Sequence, residues 1–157
     1  MHADLQDAVL YATQMHFGQE RSFGDDKGLP YIIHPIRVMS ALARERVITI
    51  GKGAPDRKAI LIAGVLHDVV EDTPATLEDV AGMFGSDVAS IVDYVTRRED
   101  EPYRQFIERS ARHPLAIWVK LADLHDNRRG LGKSSHDESL KERYDRAIQY
   151  LHAAARL

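Results

Sequence analysis

The chain has no cysteine. Disulfide staples and thiolate metal ligands are therefore excluded, and any metal must be held by histidine, carboxylate or water. Long apolar runs are missing too: the longest is the eight residues 59–66, far short of the roughly 20 that a membrane-spanning helix needs. There is no excess of positive charge either, since 21 Lys and Arg against 24 Asp and Glu leave a formal net charge of -3. That argues against a nucleic acid polymer as partner, while small basic clusters still suffice for a phosphorylated metabolite. The opening residues Met1 to Asp7 contain no basic stretch followed by an apolar one, so no signal peptide is expected. A soluble cytoplasmic protein with no membrane partner is the expectation.

What is present is globular. The 157 residues are 44% hydrophobic and 29% charged, enough for one domain with its own core. No repeat, low-complexity segment or internal boundary is visible, so residues 1–157 are expected to form a single domain.

The pattern is helical throughout. Leu5, Ala8, Val9, Ala12 and Met15 are spaced for a first amphipathic helix ending near Phe17. Residues 18–30 are polar, glycine-rich and irregular. A second helix starts near His34-Pro35, since proline suits a first turn, with Ile36, Met39, Ala43 and Val47 on one side. Gly51 to Pro55 breaks the chain. Asp56 is the expected cap of a third helix, which Thr73-Pro74 stops. Thr76 and Asp79 resemble a capping box for a short helix ending at Phe84-Gly85, and Ser86 opens another. Helices are also expected over 102–112, from Pro114, and from a capping box at Ser135–Glu138 to the C-terminus. Val47 to Ile50 is the best strand candidate. The fold expected is a compact all-α bundle of about seven to nine helices.

The chemistry concentrates in His67-Asp-Val-Val-Glu-Asp-Thr73, at the end of the apolar run. At about 100° per residue, His67, Asp68, Glu71 and Asp72 share one sector of a helix, while Val69 and Val70 point away. Gly64, one turn earlier in that sector, leaves space for a metal, a ligand or another helix. Residues 59–66 are apolar all round, which places the helix centrally. Carboxylates at the end of a central helix need a cation or dense hydrogen bonding, and a divalent metal supplies that cation. One helix does not enclose a metal, so further ligands are sought elsewhere. His34 lies at a loop-to-helix junction and Asp123 lies inside an apolar helix. Taken alone, His34 suits a cap or a core histidine, and Asp123 suits a pairing with Lys120. Together with His67 and Asp68 they make a set fit for Zn, Mn, Fe or Co, with positions left for water or substrate.

With "LPYIIHPIRV" (29–38), "AGVLHDVVEDT" (63–73), "LEDVAGMFGSDVASIVDYVT" (77–96) and "VKLADLHDN" (119–127), the chain resembles the HD-domain metal-dependent phosphohydrolases. Among these it looks like the RelA/SpoT-type small alarmone hydrolases, over nearly its whole length. The resemblance implies an all-helical HD bundle and one divalent metal, most often Mn, held by His34, His67, Asp68 and Asp123. It implies Glu71 and Asp72 as the catalytic acidic pair and Asn127 as a nucleotide contact. Asn127 is four residues from Asp123 and so on its helix face. The implied reaction removes pyrophosphate from the 3′ position of guanosine tetra- or pentaphosphate, a small-molecule nucleotide. The metal would acidify a water and polarise a phosphoryl oxygen, and Glu71 or Asp72 would orient that water and take its proton. Arg21, Lys27, Arg128, Arg129 and Lys133 are candidates for neutralising the diphosphates, and Tyr144 for reaching a base or ribose.

The chain departs from the resemblance at one point. Where these hydrolases carry a basic pair before "PYIIHP", residues 20–27 hold one Arg, two Asp and Lys27. Phe23 is placed to stack on a base, while an acidic loop repels phosphates. Three readings follow: hydrolysis of the 3′-diphosphate, HD hydrolysis of another nucleotide or phosphate ester, and a silent domain that only binds an alarmone or a partner protein. The intact acidic and histidine set argues against the third. Oligomeric state is not legible.

Overall fold

The computed structural model describes residues 1–45 and 54–155, the side chains of 54–56 excepted. The helices are α1 (Leu5–Met15), α2 (Ile33–Arg44), α3 (Ala54–Leu66), α4 (Val69–Asp72), α5 (Leu77–Phe84), α6 (Ser86–Val95), α7 (Tyr103–Ser110), α8 (Ala116–Arg129) and α9 (Ser135–Ala154). A single 3₁₀ turn, Gly24–Asp26, interrupts the loop between α1 and α2. The fold is all-α, and among the described residues no helix is long and apolar enough to cross a membrane. The strand candidate at 47–50 and the break at 51–53 lie outside the described residues. The third helix starts at Ala54, ahead of Asp56, with Pro55 inside its first turn where a missing N–H costs nothing.

Two apolar clusters meet at α8. Ile60, Ala63, Val65 and Leu66 of α3 are buried with Val38 and Leu42 of α2, Ile91 and Val92 of α6, and Ala116 and Val119 of α8. Other residues of α8, Ile117, Leu121 and Leu124, instead pack with Ile107 of α7 and Ala147 and Leu151 of α9. The two clusters therefore share α8 as a common wall. Each fully buried Ile, Leu or Val contributes roughly 1.5–3 kcal/mol of transfer free energy.

Gly64 sets how closely α2 approaches α3. A Cβ there would stand 2.6 Å from Leu42 Cδ1 and 3.5 Å from Met39 Cα. Of the three uses foreseen for the missing side chain, the structure shows another helix.

Two local expectations are corrected. The helix expected to run unbroken to Thr73 stops at Leu66 and resumes as the single turn α4. His67 supplies a reason: its Nδ1 bonds Gly64 O at 2.7 Å, the acceptor that a continuing helix reserves for the Asp68 amide. The cap of α9 is Ser134, not Ser135; its hydroxyl accepts from Asp137 N. Asp137 does not complete a box, because its carboxylate takes Gly132 N at 2.9 Å. The Thr76/Asp79 box of α5 is complete on both sides.

The connection from α6 to α7 is clipped by an ion pair. Arg109 Nε and Nη2 each lie 2.8 Å from a carboxylate oxygen of Glu101. Its two Nη groups also reach Asp93 O at 2.9 Å and Thr96 O at 2.6 Å. The Arg109 hydrogen bonds hold the Glu101 carboxyl down at about 2, against an ordinary 4.5. A depressed carboxylate stabilises the fold above its unfolded pKa and loses that stabilisation as pH falls through the folded value. Glu101→Gln should therefore lower unfolding free energy by roughly 2–3 kcal/mol at neutral pH. The gap from wild type should close between pH 4.5 and about 2, as read by denaturant melts across that range.

Candidate metal centre and its cavity

Four side chains from three parts of the bundle converge. His34 comes from the first turn of α2, His67 and Asp68 from the break between α3 and α4, and Asp123 from the middle of α8. One ligand-type atom from each lies within 4.8 Å of all the others, and all four residues are buried. His34 Nε2 is 3.0 Å from Asp123 Oδ1 and 3.2 Å from His67 Nε2, which is 3.0 Å from Asp68 Oδ2.

The tautomers follow from the outer hydrogen bonds. His34 Nδ1 lies 2.6 Å from Asp126 Oδ2, and His67 Nδ1 lies 2.7 Å from Gly64 O. A carboxylate and a carbonyl only accept, so each Nδ1 carries hydrogen and donates it. Both Nε2 lone pairs then face inward, beside two carboxylate oxygens. Four electron-pair donors aimed at one point fit a divalent cation, and the carboxylate–histidine support at His34 is the usual outer brace of such a ligand.

Electrostatics states the same demand for positive charge. Burial works against a charged His67, yet Asp68 and Asp123 outweigh it and hold its pKa well above the ordinary value. Burial pushes Asp123 up, but Lys120 and the two histidines bring it well below the usual carboxylate range. Lys120 Nζ holds Asp123 Oδ2 at 2.7 Å, which turns Oδ1 toward the imidazoles. The pairing with Lys120 and the metal-ligating geometry are thus two sides of one carboxylate. Tyr31 donates to Asp68 Oδ2 at 2.5 Å and reaches Asp72 Oδ2 at 3.3 Å.

Glu71 and Asp72 stand next to this centre on α4, and their carboxylates group with Asp68. The wheel angles assumed a continuous helix; the grouping arises instead from the turn at His67-Asp68. Both residues are solvent-accessible but lie within the cavity walls. Lost hydration, then the nearby Asp68, pushes both carboxyls above their ordinary values. Glu71 Oε1 is fixed by Arg97 N at 2.7 Å.

The centre opens into a cavity of about 920 Å³. Arg21, Asn127 and Tyr144 line it. Arg21 is buried, donates to Asn127 Oδ1 at 2.8 Å, and stacks on Phe23 and Tyr31, while its Nε meets no hydrogen-bond partner. Asn127 Nδ2 in turn donates to Asp123 Oδ1 at 2.9 Å. Other expected contacts are not brought here. Lys27 and Lys133 are exposed and outside the lining. Arg128 is bound to Asp145 of α9, with Nη2 at 3.0 Å from Oδ2. Arg129 lines a separate cavity with Arg37 and His125. Of the loop's acidic residues Asp26 is turned away, buried against Arg37 and Arg129, while Glu20 stays in the lining.

Three contributions escaped the sequence. Asp126 braces His34 and is itself held by Arg37 Nε at 2.8 Å; its place three residues after Asp123, on one helix face, was the available signal. Tyr31, three residues before His34, was another. Elsewhere in the lining, Arg143 lies 3.7 Å and Arg97 5.7 Å from the centroid of the Tyr103 ring. The Tyr103 hydroxyl is buried without a hydrogen-bond partner. That cluster joins α7, α9 and a loop, and no local pattern announces it.

Comparison with known proteins defines the class. The HD-domain family model matches residues 8–116, and the chain belongs to that family. Among its relatives is the guanosine-3′,5′-bis(diphosphate) 3′-pyrophosphohydrolase MESH1 of Drosophila melanogaster, 36% identical, covering 91% of this chain and 78% of the relative. The Escherichia coli bifunctional (p)ppGpp synthase/hydrolase SpoT is 35% identical over 85% of this chain, but the chain spans only 19% of that protein. A solved structure described as a metazoan ortholog of SpoT that hydrolyses ppGpp superposes with a TM-score of 0.73 at 29% identity, covering 99% of this chain and 87% of the other.

Replacing Asp126 with Asn removes the full charge that braces His34. Divalent-ion affinity should fall about 10- to 100-fold, by titration calorimetry, with the helical circular dichroism unchanged. His67→Ala should remove the bound ion altogether, as read by elemental analysis after desalting.

Proposed function

We propose that the 157 residues act as one metal-dependent hydrolase domain that removes the 3′-diphosphate of guanosine tetra- or pentaphosphate. The observation that carries this reading is the buried cage of His34, His67, Asp68 and Asp123 beside Glu71 and Asp72, at the base of an arginine-lined cavity. Similarity to a 3′-pyrophosphohydrolase over most of that relative's length supports the substrate.

The ion proposed for the cage is Mn²⁺. A divalent ion there supplies charge neutralisation and Lewis acidity toward a phosphoryl oxygen, and acidifies a water. The chain's own residues do the rest. Glu71 or Asp72, with carboxyls held above their ordinary values, accepts the proton of the attacking water. Water adds to the phosphorus next to the 3′ oxygen, and the bond to that oxygen breaks. The 3′ oxygen leaves with a proton, giving GDP or GTP and pyrophosphate. Tyr31 keeps Asp68 and Asp72 in register. The work is mainly positioning and electrostatics, as phosphoryl transfer requires.

The substrate carries two diphosphates, and the cavity lining carries Arg21 from the loop before α2 as well as Arg97 and Arg143 around Tyr103. Arg21 and Asn127 stand beside the cage, Arg21 bonded to Asn127 and Asn127 to Asp123, and Arg21 is the proposed hold on the 3′-diphosphate. Arg97 and Arg143 flank Tyr103 in the same lining, neither with a carboxylate partner among the described residues. They are the proposed hold on the 5′-diphosphate. Tyr144, buried at the cavity wall, is the proposed contact to base or ribose.

Purified protein with Mn²⁺ should convert ppGpp to GDP and pyrophosphate, resolved by ion-exchange chromatography beside a panel of other nucleotides. Intact ppGpp together with cleavage of another nucleotide would reassign the substrate. Glu71→Gln should keep its metal and lose about 10²- to 10⁴-fold in kcat. Arg143→Ala should mainly raise KM.

A further inference from the structure

His16, just past the end of α1, is buried to 2% exposure and belongs to neither the cage nor the cavity lining. Its ring nevertheless has defined partners. Nδ1 lies 2.8 Å from Gln19 Oε1, and the Gln19 amide nitrogen donates to Asp72 O at 2.9 Å. That second bond orients the amide, because a carbonyl oxygen only accepts. Gln19 Oε1 is then the acceptor, His16 Nδ1 carries the hydrogen, and Nε2 is left as a lone pair. His16 Nε2 is indeed buried with no hydrogen-bond partner. Leaving it so is a cost that a hydrocarbon ring of similar size would avoid.

The rest of the arm is tightly placed. Gly18, at φ +81, turns the chain so that Gln19 folds back, with Gln19 N on His16 O at 3.0 Å. The His16 ring stacks on Tyr31 with centroids 4.9 Å apart. Gln19 O accepts from Tyr31 N at 2.8 Å. One short segment therefore touches both groups that set Asp72: the tyrosine on its carboxylate and the amide on its carbonyl. α4 is a single turn, and its last carbonyl lacks a partner within the helix. Gln19 caps it.

We infer that His16 and Gln19 are positioning residues for Asp72: the imidazole sets the Gln19 amide, and the amide fixes the last residue of α4. The inference rests on the reading of Asp72 as part of the catalytic acidic pair. His16 touches neither substrate nor ion, and acts through Gln19.

Two near-isosteric changes test it in the full-length, metal-loaded protein. Gln19→Glu keeps an acceptor for His16 and removes the donor to Asp72 O. His16→Phe keeps the stack on Tyr31 and removes the Nδ1 hydrogen. Each should lower kcat about 10- to 100-fold, as misplacement of a reacting group does, with KM and bound metal within about twofold of wild type. The double variant should be no slower than the slower single, since both cut one arm. Amide hydrogen exchange should quicken at Asp72 and Thr73 while α3 keeps its protection. Wild-type kcat in both variants would overturn the inference, as would a loss of kcat matched by loss of metal and of overall thermal stability. If wild-type protein cleaves no nucleotide, the proposed reaction fails, and exchange at Asp72 and Thr73 alone decides the positioning: unchanged rates there overturn it.

Discussion

Two imidazole nitrogens 3.2 Å apart, both turned toward Asp68 and Asp123, are the constraint around which the bundle is arranged. That contact is repulsive unless positive charge sits between or beside the rings. The protein commits both histidines to it by occupying their other nitrogens with acceptors, a carboxylate on one side and a backbone carbonyl on the other. Asp68 and Asp123 then complete a cage whose combined charge calls for a cation. The supporting structure follows from that requirement. Lys120 balances one oxygen of Asp123, Tyr31 one oxygen of Asp68, and Arg37 one oxygen of Asp126.

The helices bear on this centre in different ways. α3 and α8 are the apolar posts, packed against neighbours on several sides, so the polar residues they carry are held by the surrounding core. The approach of α2 to α3, allowed by Gly64, brings His34 to His67. The break after Leu66 lets His67 and Asp68 face inward together and starts α4 afresh, so that Glu71 and Asp72 follow at the cavity wall. The side-chain bond from His67 to Gly64 O shows how one residue can both prepare a ligand and end a helix.

The cavity beside the cage brings together arginines from separate elements. Near the cage, a buried guanidinium is held between Phe23 and Tyr31. Next to Glu71, whose carboxylate takes the Arg97 amide, two guanidiniums share the Tyr103 ring. The two aspartates of the loop before α2, which on paper face an incoming phosphate, lie outside the cavity lining, although Glu20 is part of it. Asp26 meets Arg37 and Arg129 behind the centre, and Asp25 N is tied to Gly130 O at 2.9 Å. The loop thus braces the end of α8 and leaves Arg21 to the cavity.

Much of this was legible in the linear chain. The apolar run, the caps at Thr76 and Gly85, and the histidines and carboxylates set in greasy surroundings are local signals, each with a short-range cause. They sufficed for an all-helical fold and for the four residues that converge. Other features had no local signature. Whether helix ran through His67 depended on a side chain competing for a backbone acceptor. Gly64 served a neighbouring helix because α2 crosses there. Asp126, Arg97, Tyr103 and Arg143 acquired their places from contacts between elements distant in sequence. Composition and periodicity determine which segments are helical and which faces are buried, because those depend on neighbours within a turn. Which polar groups meet, and which way an acidic loop turns its charge, depends on distances across the bundle, and only the packing of the helices decides those.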